Sequence, residues 1–231
     1  MVRAMTQVLI GLGLYTVAQA ARLLKRDPAR LRRWLTGRRY RAADGSDRWA
    51  ASLLTSQIGT IDGQLVLSFR DLMELRALDR FLASGLSIRL LRKAMQTARH
   101  AFDDDRPLSN RRFGTDGRTL YAGSAEDSRD GVMLDLVSGQ YAPLRLIAPS
   151  LATDCDFDAR EMPQRWWPLG KASGIVLDPA RAFGQPLLDR PGLPVAAVSG
   201  PHAGRFALTP AERQAVADFN RWLAEKPQGA A

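Results

Sequence analysis

Cysteine is almost missing from this chain. Cys155 is the single thiol in 231 residues, so no disulfide can form within the chain. Histidine is nearly as scarce: His100 and His202 stand far apart in sequence and offer little for a metal site or an acid–base pair. No run of 18 apolar residues occurs, so no segment is suited to span a membrane as a helix. HExxH, CxxC, Walker and GxSxG segments are all lacking, and the expectation is a protein that is not an enzyme and uses no cofactor or metal. The run Asp103-Asp104-Asp105 does not change this. It follows a predicted helix with no further ligand at suitable spacing and reads as a solvated helix end.

The most informative shortage is of negative charge at one end. Residues 1–41 contain a single acid, Asp27, beside ten of the 33 Lys/Arg residues, a local net charge of +9. The whole chain is also +9, so residues 42–231 hold 23 residues of each sign and are neutral. A basic character confined to one end is the electrostatic footprint of a polyanion-binding segment.

Local chemistry within that end predicts two helices. Thr16 and Gln19 form a capping box, and Val17, Ala20, Ala21 and Leu24 follow at i, i+3, i+4, i+7 as one apolar stripe. Asp27-Pro28 restarts the helix after a three-residue turn, Lys25 to Asp27. Leu31, Trp34 and Leu35 face inward on the second helix, and Gly37 is the expected left-handed terminator. Asp44-Gly45 then predicts a hairpin between Tyr40–Ala43 and Arg48–Leu54, a wing beside a helix-turn-helix. Such a second helix fits the major groove of double-stranded DNA. Arg30 and Arg33 are expected at base edges; Arg22, Lys25, Arg38, Arg39 and Arg41 at phosphates; and Arg26, Arg32 and Tyr40 complete the candidate DNA-binding set. DNA is favoured over RNA because no aromatic stacking motif interleaves the arginines. The bland alternative is an ordinary solvated basic helix.

Further on, Asp62-Gly63 precedes an extended Leu65-Val66-Leu67, and helices are predicted over Phe69–Ala83 and from Ser87-capped Ile88 to Phe102. This pair reads as core, with a contact between two copies as its other use. Residues 106–147 turn β-like, with Asp116-Gly117 as a third hairpin signal, and Thr209-Pro210 with Glu212 opens a closing helix. The expected fold class is α+β: a winged helix-turn-helix with two further helices over 1–105, then a mixed β/α domain over 106–231 for partner binding or dimerisation. Residues 1–20 mimic a secretory signal, with Arg3, an apolar Val8–Leu14 and Ala18-Gln19-Ala20. Cleavage there would remove the first helix, so a cytoplasmic location is expected instead.

The collinear series Gly13-Leu14-Tyr15-Thr16-Val17, Leu31-Arg32-Arg33-Trp34, Ser68-Phe69-Arg70-Asp71-Leu72, Thr115-Asp116-Gly117-Arg118, Trp167-Pro168-Leu169-Gly170 and Phe183-Gly184-Gln185-Pro186 resembles the larger VapB-type antitoxins. Those combine an N-terminal MerR-like winged helix-turn-helix with a C-terminal module of unknown function. Gly200-Pro201-His202-Ala203-Gly204 departs from the pattern, where a longer helical stretch is expected. The resemblance implies a type II toxin–antitoxin component that represses its own promoter and neutralises a PIN-domain ribonuclease toxin, and a homodimer is expected. An arginine can block such a nuclease by pairing with its metal-binding carboxylates. Arg165 with Trp166 and Trp167, and Arg221 with Trp222, are the candidates; the tryptophans also have a plain reading as core. Two other functions stay open: a MerR-like regulator without a toxin, and an excisionase-type DNA-architectural protein.

Overall fold

The structure, a computed structural model, describes residues 11–110, 113–115, 120–122, 132–138, 140–143, 148–149, 154–201 and 203–226. Two compact units emerge: Met1–Leu72 with Gln164–Ala231, and Met73–Pro163. This division differs from the expected 1–105 and 106–231. The physical reason lies in long-range hydrogen bonds that tie the start of the chain to its last third. The Leu14 amide donates to the Phe183 carbonyl at 2.9 Å, the Gln185 side-chain amide donates to the Leu14 carbonyl at 3.1 Å, and the buried Tyr15 hydroxyl donates to the Gly184 carbonyl at 2.6 Å.

The first unit opens with β1 (Tyr15–Thr16), α1 (Val17–Leu24) and α2 (Pro28–Thr36). The predicted capping box is present: Gln19 N–H donates to Thr16 Oγ1 at 3.2 Å, and Thr16 N–H donates to Gln19 Oε1 at 2.8 Å. Asp27 caps α2 by accepting from the Ala29 amide at 2.9 Å. α1 buries Val17, Ala20 and Ala21 as expected, but its fourth buried position is Leu23, not Leu24. Leu31, Trp34 and Leu35 are buried on α2, each worth roughly 1.5–3 kcal/mol of transfer from water.

Gly37 ends α2, though not in the left-handed helical conformation. Its φ of 75° and ψ of −175° lie in a region open essentially to glycine, and a Cβ there would meet the Ala50 carbonyl at 2.5 Å. The hairpin follows as β2 (Arg38–Arg41) and β3 (Asp47–Ala50), one strand starting earlier and the other ending sooner than predicted. Its register pairs Arg38 with Ala50, Arg39 with Trp49, Tyr40 with Arg48 and Arg41 with Asp47. The Asp44-Gly45 signal sits in a loop closed by Ala42 and Ser46, with Gly45 at φ 78°.

Next come β4 (Gly59–Ile61) and β5 (Gln64–Leu67), turned by Asp62-Gly63 with positive φ at both residues, and β1 adds to β5 as the third strand. Ser68 and Asp71 open α3 (Phe69–Ala83) by exchanging hydrogen bonds, and Asp71 Oδ2 also accepts from the Gln57 amide at 2.9 Å. In the last third, Trp166 and Leu177 exchange backbone hydrogen bonds at 3.0 and 2.8 Å, and β11 (Ile175–Val176) pairs with β12 (Leu187–Leu188). Trp167, Val176 and Leu187 form a core cluster there. The short helix α5 (Val195–Ser199) and α6 (Pro210–Ala224) close the unit, α6 opening with the predicted Thr209–Glu212 capping box. His202 lies outside the described residues.

The second unit contains most of α3, α4 (Ile88–Phe102) and an antiparallel five-stranded sheet of order β10-β6-β7-β8-β9. Those strands are β6 (Phe113–Thr115), β7 (Leu120–Ala122), β8 (Val132–Asp135), β9 (Tyr141–Pro143) and β10 (Ala148–Pro149). The Asp116-Gly117 hairpin signal lies outside the described residues. Ser87 caps α4 as predicted, with Leu91, Ala94, Met95 and Ala98 buried. Asp103 terminates α4 in the left-handed conformation, and Asp104 accepts from the Arg106 amide and the Asn110 side chain, so part of this acidic run holds a turn together. Arg76 Nη2 reaches both oxygens of Asp154 at 2.6 and 2.5 Å, and Glu74 Oε2 accepts from the Ser109 amide at 2.6 Å. Among the described residues no helix is long and apolar enough to cross a membrane.

Candidate nucleic-acid interface

Two helices, a three-residue turn and a hairpin present most of the sequence-predicted basic set. Arg32 and Arg33 are exposed on α2, and Arg38, Arg39 and Arg41 are exposed on β2. Among the described residues no carboxylate pairs with Arg32, Arg33, Arg38 or Arg39. Asp27 spends its side chain on the α2 cap and Asp44 on Arg48, so neither carboxylate binds these guanidiniums. Arg30 is half-buried with its guanidinium 5.0 Å from the Trp34 ring centre, a cation–π contact that also stiffens the side chain. Arg41 donates from Nε to the Gly45 carbonyl at 3.1 Å and so is anchored on its own loop.

Three of the predicted residues are placed differently. The Lys25 ammonium sits 4.4 Å above the Trp222 ring and donates to the Glu225 carbonyl at 3.3 Å, so it braces the end of α6. Burial, opposed by the Glu225 charge, moves its pKa below the ordinary lysine value. Arg22, though exposed, lines a cavity between α1, α5 and α6. Arg26 is half-buried and already engaged in an interaction of its own.

The hairpin adds Trp49, which the sequence reading left out, beside the predicted Tyr40. Trp49 is 60% exposed and Tyr40 is 40% exposed, a large aromatic on each strand. By register and strand alternation Trp49 shares a face with Arg39 and Arg41, while Tyr40 shares the other with Arg38 and Arg48. The signal for this was available: a β-strand in which every residue is polar or exposed-aromatic has no buried face. Arg48 is held by Asp44 at 2.6 Å.

The candidate toxin contacts divide in two. Trp166 and Trp167 are buried at 4% and 5% exposure, which corrects the reading of them as a surface anchor: they are core. Arg165 lies 5.2 Å from the Trp167 ring centre, half-buried against it. Arg221 is exposed on α6 and pairs with Asp218 at 2.9 Å, while Trp222 is half-buried against Phe219 at 5.5 Å between ring centres.

No profile of a protein family matches the chain. A protein of Mycobacterium tuberculosis that bears the name "Putative antitoxin VapB45" is 30% identical over 224 residues, 89% of this chain and 87% of that protein. The crystal structure of Rv2018, also from Mycobacterium tuberculosis, superposes with a TM-score of 0.54 over 94% of this chain and 95% of that one. Its 24% identity makes that a likeness of fold. A relative this similar over nearly the full length of both proteins places the chain in the VapB45-like family of antitoxins.

Proposed function

We propose that this chain is the antitoxin of a type II toxin–antitoxin pair. In this reading it represses its own promoter through a winged helix-turn-helix formed by α1, α2 and the β2–β3 hairpin, and neutralises a PIN-domain ribonuclease. The observation that carries the DNA part is the group of exposed guanidiniums on α2 and β2 that have no carboxylate partner among the described residues. α2 enters the major groove, with Arg30 and Arg33 at base edges, and Arg32, Arg38, Arg39 and Arg41 meet phosphates. Lys25 and Arg22 leave the DNA set, one braced on α6 and the other turned to a cavity.

For the nuclease, Arg221 is the better of the two arginine candidates. Its partner Asp218 is 44% exposed, and such a surface pair is worth ~0–1 kcal/mol, so exchanging it for the carboxylates of a metal site costs little. Arg165 would first have to leave the Trp167 ring. A homodimer fits a repressor of a palindromic operator.

The test measures binding of the protein to its own upstream DNA by fluorescence anisotropy at several salt concentrations. Each phosphate contact contributes about 0.9 to the slope of log affinity against log salt, so a slope of several units is expected. Arg39→Ala should flatten it by about one contact at every sequence, whereas Arg33→Ala should relax specificity at one base pair by ~1–3 kcal/mol. Binding indifferent to salt overturns the DNA assignment. Co-expression with the adjacent gene product, read by growth rescue and by the size of the complex, tests the toxin assignment separately.

A further inference from the structure

The cavity between α1, α5 and α6 has a composition unlike a packing defect. It measures about 220 Å³, and its apolar side is made by Leu23, Val195, Phe219 and Leu223. Its polar side is made by Gln19, Arg22, Gln185 and Asn220, and no acid lines it. Arg22 is the single charged group, and no carboxylate among the described residues pairs with it.

The polar side chains are fixed in ways that decide what they have left to offer. Gln19 Oε1 accepts from the Thr16 amide, which leaves its NH₂ group to donate. Gln185 donates to the Leu14 carbonyl at 3.1 Å, and Asn220 donates to Ser199 Oγ at 2.7 Å, so both are held in orientation. A guanidinium and an amide donor, both on exposed residues one helical turn apart on α1, therefore line a space whose other walls are hydrocarbon and a phenyl ring.

We propose that this cavity binds a small amphipathic carboxylate, its acid group on Arg22 and Gln19 and its apolar body against Phe219, Leu223 and Val195. The volume sets the size. A cavity of roughly 150 Å³ takes benzene, so this one accommodates about nine non-hydrogen atoms, the size of benzoate. The planar fork of Arg22 matches a carboxylate bidentately, whereas an uncharged amide of the same shape forfeits the charge-assisted pair. The site stands independently of DNA or toxin binding, since each of its residues is assigned from cavity geometry alone.

The experiment is an amide NMR titration of the full chain with sodium benzoate and, in parallel, with benzamide. Expected are saturable shifts confined to Gln19, Arg22, Val195–Ser199 and Phe219–Leu223, with benzamide binding at least tenfold more weakly. Arg22→Gln, a surface change that leaves the packing in place, should reduce benzoate to the level of benzamide. Ala196→Trp, at an exposed lining position, should block both, and a well-dispersed spectrum of each variant reports that it folds. The proposal is overturned if benzoate produces no saturable shifts at these amides, if benzamide binds equally well, or if Arg22→Gln keeps the preference for benzoate.

Discussion

Tyr15→Phe removes one oxygen atom from a place where the start of the chain is clasped to its last third. The Tyr15 side chain is 1% exposed and its hydroxyl donates to the Gly184 carbonyl at 2.6 Å. Burial, reinforced by the negative charge of Asp178, holds the hydroxyl pKa far above the usual tyrosine range, so it stays a proton donor at any working pH. The approach is close enough that a Cβ on Gly184 would collide with that oxygen. Phenylalanine leaves the ring packing intact but strands the carbonyl without its donor, at a cost of ~1–3 kcal/mol. Hydrogen exchange at the Leu14 amide, bonded to the Phe183 carbonyl beside it, reads this directly. If opening of the clasp governs exchange, protection there should fall about 5- to 150-fold. The bulk of the α4 amides, in the other unit, should change far less. Equal protection at Leu14 in both proteins would refute the clasp. Gly184→Ala should be worse, because it adds a left-handed alanine at φ 76° to the overpacking, together ~2–5 kcal/mol.

Glu74 makes stability depend on pH in an unusual direction. Burial pushes its pKa from the ordinary 4.5 up to about 8, against hydrogen bonds from Leu108 and Ser109 that favour the charged form. Between those values the folded state holds a proton that the unfolded state has lost. Its contribution is therefore full below about pH 4.5 and declines as pH rises to about 8, by at most ~5 kcal/mol. Urea midpoints between pH 5 and 8 should fall in the wild type, and Glu74→Gln should remove most of that slope; a slope unchanged by the substitution refutes the assignment. Gly37→Ala forces a side chain into a glycine-only conformation and into the Ala50 carbonyl, so hydrogen-exchange protection across the β2–β3 register should collapse without any change of charge. Retained protection there would show that the backbone at Gly37 can relax.

Where local chemistry determines structure, it was readable in the sequence. The Thr16 and Thr209 capping boxes, the Asp27 cap and the bounds of α3 and α4 follow from short-range hydrogen bonding and apolar spacing, and all are observed. What remained illegible depends on residues distant in sequence. Nothing near Tyr15 announces Gly184 as its partner 169 positions away, and that contact decides which segments share a unit. Periodicity favoured Leu24 over Leu23, and the α6 side of the fold reverses that choice because it is Leu23 that faces α6 across the cavity. Trp166 and Trp167 show the same limit: a tryptophan pair beside arginine looks alike whether it anchors a partner or fills a core.

Net charge alone does not identify a reading head, because it ignores how the acids are spent. In the nominally neutral remainder of the chain, Asp154 is engaged by Arg76 and Arg80, Asp178 and Asp189 by Arg181, and Asp218 by Arg221. α4 meanwhile carries Arg89, Arg92, Lys93 and Arg99 and no acid along its fifteen residues, a second basic stretch that the sequence count hid. If DNA binding were diffuse attraction to positive charge, Arg89→Ala with Lys93→Ala should weaken it as much as Arg32→Ala with Arg33→Ala, since each pair removes two exposed cations. A localised interface predicts otherwise. The α2 pair should reduce the salt slope by about one unit through Arg32 and relax specificity at the base pair read by Arg33, whereas the α4 pair should leave both nearly unchanged, measured on the same operator fragment. Equal losses from the two pairs would mean that the protein binds DNA through its charge and not through a reading helix.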